Sequence, residues 1–290
     1  MKKIVVFGGS GFLGTNLVKF FLEKKFRVTI FDKKKCFLKH KNLKIFIGDI
    51  ANFKDVSKAI RGNDYVYNFA GISDIEESIK KPIDTVKINI LGTINTLEAS
   101  LKSKIKKYFF ASSVYVSSNQ GGFYRTSKKA CELYIEEYNK RHKQKFTIIR
   151  YGSIYGLAAD KRNGISKILH QFKKNNQLEY GGTTKAKRKF IHIEDACRAT
   201  SDLMSKKFDN KIVSIMGKKT IKIKDLMEHL KKKLKVKKKI IYNNKPQLGH
   251  YDVSPFNYEP TKEIFYYRNN TINFSKGLNE ILKKNNAKKR

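Results

Sequence analysis

The feature that most constrains the fold is a glycine-rich turn between two apolar runs near the start of the chain. Residues 2–7 form an apolar, β-rich run that ends at Gly8, and a helical pattern begins within the following glycines. The apolar positions of this second run are Leu13, Leu17, Val18, Phe21 and Leu22. The pattern predicts a strand, a tight turn and a helix. Such a turn lets the backbone approach a pyrophosphate at the helix N-terminus, where N–H groups are unpaired and the dipole is positive.

A second strand, at residues 27–31, ends at Asp32. An acidic residue about 20 positions past the glycines is placed to bind the ribose hydroxyls of an adenosine. We therefore interpret the turn as a dinucleotide site and not as a loop that binds nothing. Asp32 favours NAD, whereas Lys33, Lys34 and Lys35 would accept a 2′-phosphate and leave NADP open.

Length and composition exclude several classes of protein. A chain of 290 residues corresponds to one or two domains, and its 40% hydrophobic content supports a sizeable core. No apolar run approaches the roughly 18 residues that span a membrane, and the N-terminal run lacks the cleavage site of a signal peptide. Cys36, Cys131 and Cys197 lie far apart without a CxxC pair, which indicates a reducing, cytoplasmic compartment and no metal site.

The net charge of +38 comes mostly from lysines, which are spread over nearly every segment. We interpret it as a compositional drift that gives a solvated basic surface. The densest run, 231–239, alternates with apolar residues and predicts a helix with one buried face. Clustered arginines and RNA-binding signatures are missing, so nucleic acid is not the expected partner. The charge would still attract phosphorylated substrates.

Strands alternate with helices over the first 150 residues. Further strands are predicted at 43–47, 65–69, 107–111 and 146–150, and helices at 52–60, 82–102 and 122–141. The alternation predicts an α/β fold with a Rossmann-type doubly wound parallel sheet and ligands at the carboxyl ends of its strands. Residues 1–150 would form the dinucleotide-binding domain.

The alternation weakens after residue 150. Helices are predicted at 165–174, 194–203, 224–234 and 275–283, and strands at 188–193, 211–215 and 239–242. We predict that residues 151–290 form a smaller α+β substrate-binding cap whose last few residues are a flexible tail.

Two more strand ends carry candidate cofactor residues. Asp49 would either accept a hydrogen bond from an adenine amine or cap the helix near Asn52. Ala70 and Gly71 are small enough to let a cofactor pass close to the backbone.

A serine pair and a Tyr-Lys pair carry the candidate chemistry. Ser112 and Ser113 follow the strand at 107–111, and Tyr124 and Lys128 share one helix face because they lie four positions apart. The pKa of a free phenol, about 10, is too high for a base at neutral pH. A nearby ammonium and a positive nicotinamide would lower it, and a Ser hydroxyl would orient the substrate hydroxyl. The set predicts proton transfer beside a hydride acceptor.

These features resemble the extended short-chain dehydrogenase/reductase family, and within it the NAD-dependent epimerase/dehydratase group that acts on nucleotide sugars. The resemblance covers most of the chain, including the GxxGxxG turn, the helix segment 89–99, and the segments 151–156 and 188–195. By resemblance, the cofactor contacts are Gly8, Gly11, Phe12, Leu13, Gly14, Asp32, Asp49, Ile50, Ala70, Gly71, Asn89, Tyr124 and Lys128. The implied substrate contacts are Ser112, Ser113, Ser153 and Arg188, with Arg188 on the diphosphate.

The resemblance implies a nucleotide-sugar 4-epimerase that feeds surface-polysaccharide synthesis. Tyr124 would take the proton of a sugar hydroxyl while the hydride passes to NAD, and Ser113 would hold the reacting oxygen. Lys128 would bind the nicotinamide ribose and tune Tyr124. A homodimer through the helices near 83–102 and 124–138 is also implied.

Departures from the family pattern limit which reactions of the family this chain is expected to catalyse. Val114 and Tyr115 stand where dehydratases carry an Asp-Glu pair and decarboxylases a Glu, so we disfavour both reactions. Ser113 and Tyr124 are only 11 positions apart, which removes residues that line the sugar pocket in the usual epimerases. Ser153 replaces a common Asn, and Lys189 replaces an Asp.

Two alternatives stay open. A 4-keto-sugar reductase would use the same residues but consume NAD(P)H, and a basic nucleic-acid-binding protein would retain only the scaffold. His192 lies in an apolar strand and is interpreted as a structural residue with satisfied hydrogen bonds. Glu194 and Asp195 are expected to start a helix, and Cys131 to lie in the core.

Overall fold

A computed structural model of the chain describes residues 1–160, 162–243, 263–268 and 271–287. Its strands are β1 (Lys3–Phe7), β2 (Arg27–Asp32), β3 (Leu43–Ile47), β4 (Tyr65–Asn68), β5 (Lys107–Ser113), β6 (Phe146–Tyr151), β7 (Ser153–Tyr155), β8 (Glu179–Tyr180), β9 (Lys187–Arg188), β10 (Phe190–His192), β11 (Lys211–Ile215), β12 (Ile221–Lys222), β13 (Ile241–Tyr242) and β14 (Glu263–Tyr266). Its α-helices are α1 (Phe12–Glu23), α2 (Phe53–Ile60), α3 (Ile75–Lys80), α4 (Pro82–Thr85), α5 (Gly92–Lys102), α6 (Gly122–His142), α7 (Gly164–Asn175), α8 (Ile193–Asp202), α9 (Ile223–Lys233) and α10 (Phe274–Ala287).

Eight parallel strands form the main sheet in the order β14-β11-β6-β5-β4-β1-β2-β3. Apolar side chains of α1 and α8 cover one face, and those of α2, α5 and α6 cover the other. The predicted α/β doubly wound fold is therefore confirmed. The strand order reverses between β1 and β4, and ligands of such sheets bind in the crevice at that point.

The predicted helix at 82–102 is interrupted by a π-helical segment, Val86–Leu91, between α4 and α5. Pro82 stands at its N-terminus, as predicted. Helix α3 was not predicted; the side chain of Asp74 caps it by accepting a hydrogen bond from the backbone N of Glu77 at 2.8 Å.

The second part of the chain both extends the sheet and builds a separate apolar cluster from α7, α9 and α10. Two strands of this part, β11 and β14, join the main sheet, and the division of the chain at residue 150 into two domains stays a prediction. The predicted tail falls mostly after residue 287, outside the described residues. No helix in the described ranges has the length and apolar character needed to cross a bilayer.

The strand predicted at 188–193 is wrong as a single element. It breaks at Lys189, because Arg188 pairs antiparallel with β12 whereas Phe190 pairs parallel with β7. The helix that follows begins with Glu194 and Asp195 in its first turn, as predicted.

Candidate active site

The glycine turn closes only with glycine at its critical positions. Gly8 has φ +75°, and its N–H donates to the carbonyl of Phe31 at 2.8 Å. A Cβ on Gly14 would lie 2.2 Å from the Gly8 oxygen, so any side chain there would push α1 away from the strand end. Gly11 provides no side-chain cap for α1, which leaves its first N–H groups, including those of Phe12 and Leu13, for a ligand. This cradle fits a pyrophosphate.

Asp32 holds the same turn from the end of β2. Its two carboxylate oxygens accept hydrogen bonds from the backbone N of Ser10 at 3.0 Å and of Lys34 at 2.9 Å. Each oxygen keeps a further lone pair that a ribose hydroxyl can use. Asp32 therefore lies where the sequence places it, beside the glycine turn.

Asp49 does not cap the helix that follows it. Its Oδ1 accepts from the backbone N of Ala51 at 2.9 Å, whereas Asn52 caps α2 by accepting from the N–H groups of Lys54 and Asp55. The neighbouring Ile50 is buried, and its carbonyl accepts from Asn95 Nδ2 at 3.0 Å. The adenine contact of Asp49 stays a prediction.

Asn89 organises the loop after β4. Its Oδ1 accepts from the backbone N of Ile72 at 2.7 Å, and its Nδ2 donates to the Ile72 carbonyl and to Ser127 Oγ at 3.1 and 2.9 Å. A Cβ on Gly71 would lie 2.8 Å from this Oδ1. Both amide hydrogens of Asn89 are thus engaged. Asn89 therefore holds the loop at Ile72, next to Gly71, and its contact with the cofactor stays a prediction.

Ser113, Tyr124 and Lys128 come together at the ends of β4 and β5. The Ser113 hydroxyl lies close enough to the Tyr124 phenol to lower the pKa of that phenol. Lys128 Nζ lies 6.0 Å from the centroid of the Tyr124 ring and 4.7 Å from that of Phe110. It also lies 3.7 Å from where a Cβ on Gly71 would stand, so the three side chains adjoin the loop after β4.

Burial dominates the electrostatics of this group. It raises the pKa of Tyr124, and the nearby Ser113 hydroxyl opposes that effect. Burial also lowers the pKa of Lys128 to about 8, although Cys131 and Glu132 partly offset it. The lowering of the Tyr124 pKa by Lys128 is not seen here and stays a prediction for the protein with its cofactor bound.

The short connection from Ser113 to Tyr124 is a 3₁₀ turn, Val114–Ser117, followed by two glycines. Gly121 and Gly122 have φ values of +112° and +52°, which let α6 begin soon after the turn. The Tyr115 ring meets the Tyr124 ring edge-on, with centroids 6.5 Å apart.

Ser112, predicted to contact the substrate, points away from the other predicted site residues. Strand alternation turns its side chain away from that of Ser113, and its Oγ donates to Glu132 Oε1 at 2.6 Å. Glu132 also binds Arg150, so Ser112 belongs to a buried network behind the site and is not placed to contact a substrate. Neither Glu132 nor Arg150 was among the residues predicted for the site. Two sequence features could have identified them: Glu132 lies four positions after Lys128 on the same helix face, and Arg150 lies in an otherwise apolar strand.

The two predicted cap residues, Ser153 on β7 and Arg188 on β9, lie on strands of two different small sheets. The backbone N of Ser153 donates to the Lys189 carbonyl at 3.1 Å, and Arg188 comes directly before that residue. Arg188 is buried, and its Nη1 donates to the Lys187 carbonyl at 2.8 Å. The backbones of Ser153 and Arg188 therefore both adjoin Lys189, and their substrate contacts stay predictions.

His192 differs from the sequence interpretation. It is 3% exposed, yet among the described residues neither ring nitrogen has a hydrogen-bond partner. Its ring packs edge-on against Tyr155 at 5.4 Å, and burial lowers its pKa. His192 is therefore a structural residue, but its ring nitrogens do not form, with any described residue, the hydrogen bonds that we expected from the sequence. Cys131 lies in the core as predicted, and its Sγ donates to the Asn89 carbonyl at 3.2 Å.

Comparison with known proteins gives a consistent match. The profile of the NAD dependent epimerase/dehydratase family matches residues 4–215. A Methanocaldococcus jannaschii protein, provisionally named a UDP-glucose 4-epimerase, is 30% identical over 85% of this chain and 87% of its own length. A dTDP-D-glucose 4,6-dehydratase of Dictyostelium discoideum is 27% identical over 71% of this chain and 56% of its own length.

Two solved structures share the fold. A Thermotoga maritima UDP-glucose 4-epimerase with UDP-glucose has a TM-score of 0.86 and 21% identity, covering 99% of this chain and 100% of that one. A Thermus thermophilus UDP-glucose 4-epimerase with NAD has a TM-score of 0.80 and 19% identity, covering 97% and 98%.

Proposed function

This chain belongs to the NAD dependent epimerase/dehydratase family, and from that membership we propose that it is a nucleotide-sugar 4-epimerase. The observation that carries the proposal is the placement of Ser113, Tyr124 and Lys128 beside the loop after β4. The solved epimerases of the same fold, one with UDP-glucose and one with NAD, support it.

The cofactor is NAD, in line with the family. The glycine cradle and the first turn of α1 would hold its pyrophosphate, and Asp32 would accept from its adenosine ribose. When bound, NAD would accept a hydride from the sugar carbon and return it on the other face. We propose that Lys128 donates to the nicotinamide ribose.

The chain's own residues would move the proton. Tyr124 would take it from the 4-hydroxyl and later return it, while Ser113 would hold the reacting oxygen. Because burial raises the pKa of Tyr124, a nearby positive charge is needed to form the phenolate. Lys128, whose pKa of about 8 keeps most of it protonated at neutral pH, would supply that charge.

Epimerisation is favoured over dehydration and decarboxylation by the residues after Ser113. The relatives include a dehydratase, so the family alone does not decide between these reactions. Val114 and Tyr115 occupy the turn, and neither side chain can act as a carboxylate acid or base.

We also propose a homodimer. Large apolar side chains are exposed along two neighbouring helical segments: Ile83, Val86, Leu91, Leu133 and Tyr134. These segments contact each other, exposed apolar side chains on adjoining helices mark an interaction site, and a second copy of the chain would cover it.

The test is to denature purified protein and identify the released nucleotide. Bound NAD, with conversion of a UDP-sugar in the absence of added cofactor, would support the epimerase. An empty site, together with conversion of a keto sugar that consumes NADPH, would support the reductase instead of the epimerase.

A further inference from the structure

A basic cleft lies at the opposite end of the sheet from the proposed site. It encloses about 440 Å³ between the starts of β1, β2 and β3 and the end of α2. Gly8, Asp32 and Asp49 lie at or just past the other ends of the same three strands. A strand of five or six residues spans roughly 17–20 Å, so this cleft is separate from the glycine turn.

The cleft is more basic than the chain as a whole. Its cations are Lys3, Arg27, Lys41, Lys44, Lys58 and Arg61, which are six of the fourteen lining residues. Lys and Arg make up 63 of the 290 residues of the chain. None of the fourteen is acidic. The lining therefore carries six positive charges and no negative ones.

None of these cations forms a close ion pair with a carboxylate among the described residues, and Lys3 interacts with Asp64 only over a longer distance. Asp64, at the same edge, is paired with Lys106 at 3.0 Å and accepts from the backbone N of Lys3 at 3.0 Å. Asn63 Nδ2 donates to the carbonyls of Ala59 and Ile60, which covers part of the negative end of α2. The positive potential of the cleft is thus available to attract an anionic ligand.

We propose that this cleft binds a small anion that carries several phosphate groups in a chain. Concave surfaces of one charge concentrate the opposite charge, and Lys and Arg are the side chains that bind phosphate. The volume falls within the range of about 300–1,000 Å³ for small-molecule sites. A free inorganic oligophosphate and the triphosphate of a nucleotide share this chemistry.

The test is calorimetric titration of the full chain with tripolyphosphate, with NAD present to fill the glycine turn. The cleft variant is Lys58→Glu/Arg61→Glu, and the control is Lys232→Glu/Lys233→Glu. Both pairs lie at the end of a helix and change the net charge equally. We expect saturable one-to-one binding that weakens about tenfold in the cleft variant and less than twofold in the control. A second cleft variant, Lys41→Gln/Lys44→Gln, repeats the test if the first does not fold.

ATP in place of tripolyphosphate distinguishes the two sources, because tighter binding of ATP would indicate a nucleotide. Equal losses in the cleft and control variants would show a general surface effect and overturn the proposal. Binding of only a long single-stranded oligonucleotide would overturn it as well.

Discussion

Glu132 binds Arg150 through two hydrogen bonds, Nε to Oε1 at 3.0 Å and Nη2 to Oε2 at 2.7 Å. The two side chains are 2% and 4% exposed. The pair joins α6, which carries Tyr124 and Lys128, to β6, and Ser112 connects it to the strand that carries Ser113. One carboxylate thus fixes the helix and the strand that form the proposed site.

Glu132→Gln should strongly destabilise the fold. The substitution leaves the guanidinium of Arg150 buried without its counter-charge, and such a loss costs about 3–5 kcal/mol of unfolding free energy. Urea unfolding measures it. Glu137→Gln, on the exposed side of the same helix, is the control and should have almost no effect. Equal losses in the two variants would show that the buried pair has no special role.

Gly14→Ala should abolish NAD binding. The added Cβ would meet the Gly8 oxygen at 2.2 Å and displace α1 from the turn, at a cost of about 1–3 kcal/mol. The control is Gly164→Ala at the start of α7, where a Cβ has open space. Calorimetric titration with NAD checks both variants. Unchanged affinity in Gly14→Ala would contradict the assigned cradle.

Lys128 should give the fold a distinct pH dependence. Its pKa is about 8 when folded, against 10.5 ordinarily, so the unfolded chain binds more protons between these pH values. The contribution of Lys128 therefore becomes more favourable as the pH rises from about 8 to 10.5, by about 3 kcal/mol. Urea unfolding of the wild type and Lys128→Met at the two pH values isolates this change. If the unfolding free energies of the two proteins changed with pH in the same way, the pKa of Lys128 would not be lowered by folding.

Leu133→Glu should convert the proposed dimer to a monomer, because it puts a charge into the apolar surface of α6. Phe37→Glu is the control, since Phe37 is also exposed but lies far from these helices in the sequence. Analytical ultracentrifugation measures the mass. A wild-type monomer, or a Leu133→Glu dimer, would contradict the proposal.

Local patterns predicted the fold well. The glycine turn, the alternation of strands and helices, and the four-residue spacing of Tyr124 and Lys128 each depend on residues close in sequence. What the sequence did not show depends on tertiary contacts. The Glu132–Arg150 pair, the direction of Ser112 and the lack of a hydrogen-bond partner for His192 within the described ranges arise only when separate elements pack together. The break at Lys189 likewise arises because two different strands pair on either side of it.

The most direct test of the central claim is to incubate the wild type and Tyr124→Phe with a panel of UDP, GDP, CDP and dTDP sugars and measure inversion at C4 by NMR. The wild type should invert at least one sugar without added cofactor. Tyr124→Phe should retain NAD but lose at least about 10²-fold in turnover, since it lacks the group that moves the proton. Full turnover by Tyr124→Phe, or no inversion of any nucleotide sugar by the wild type, would contradict the account.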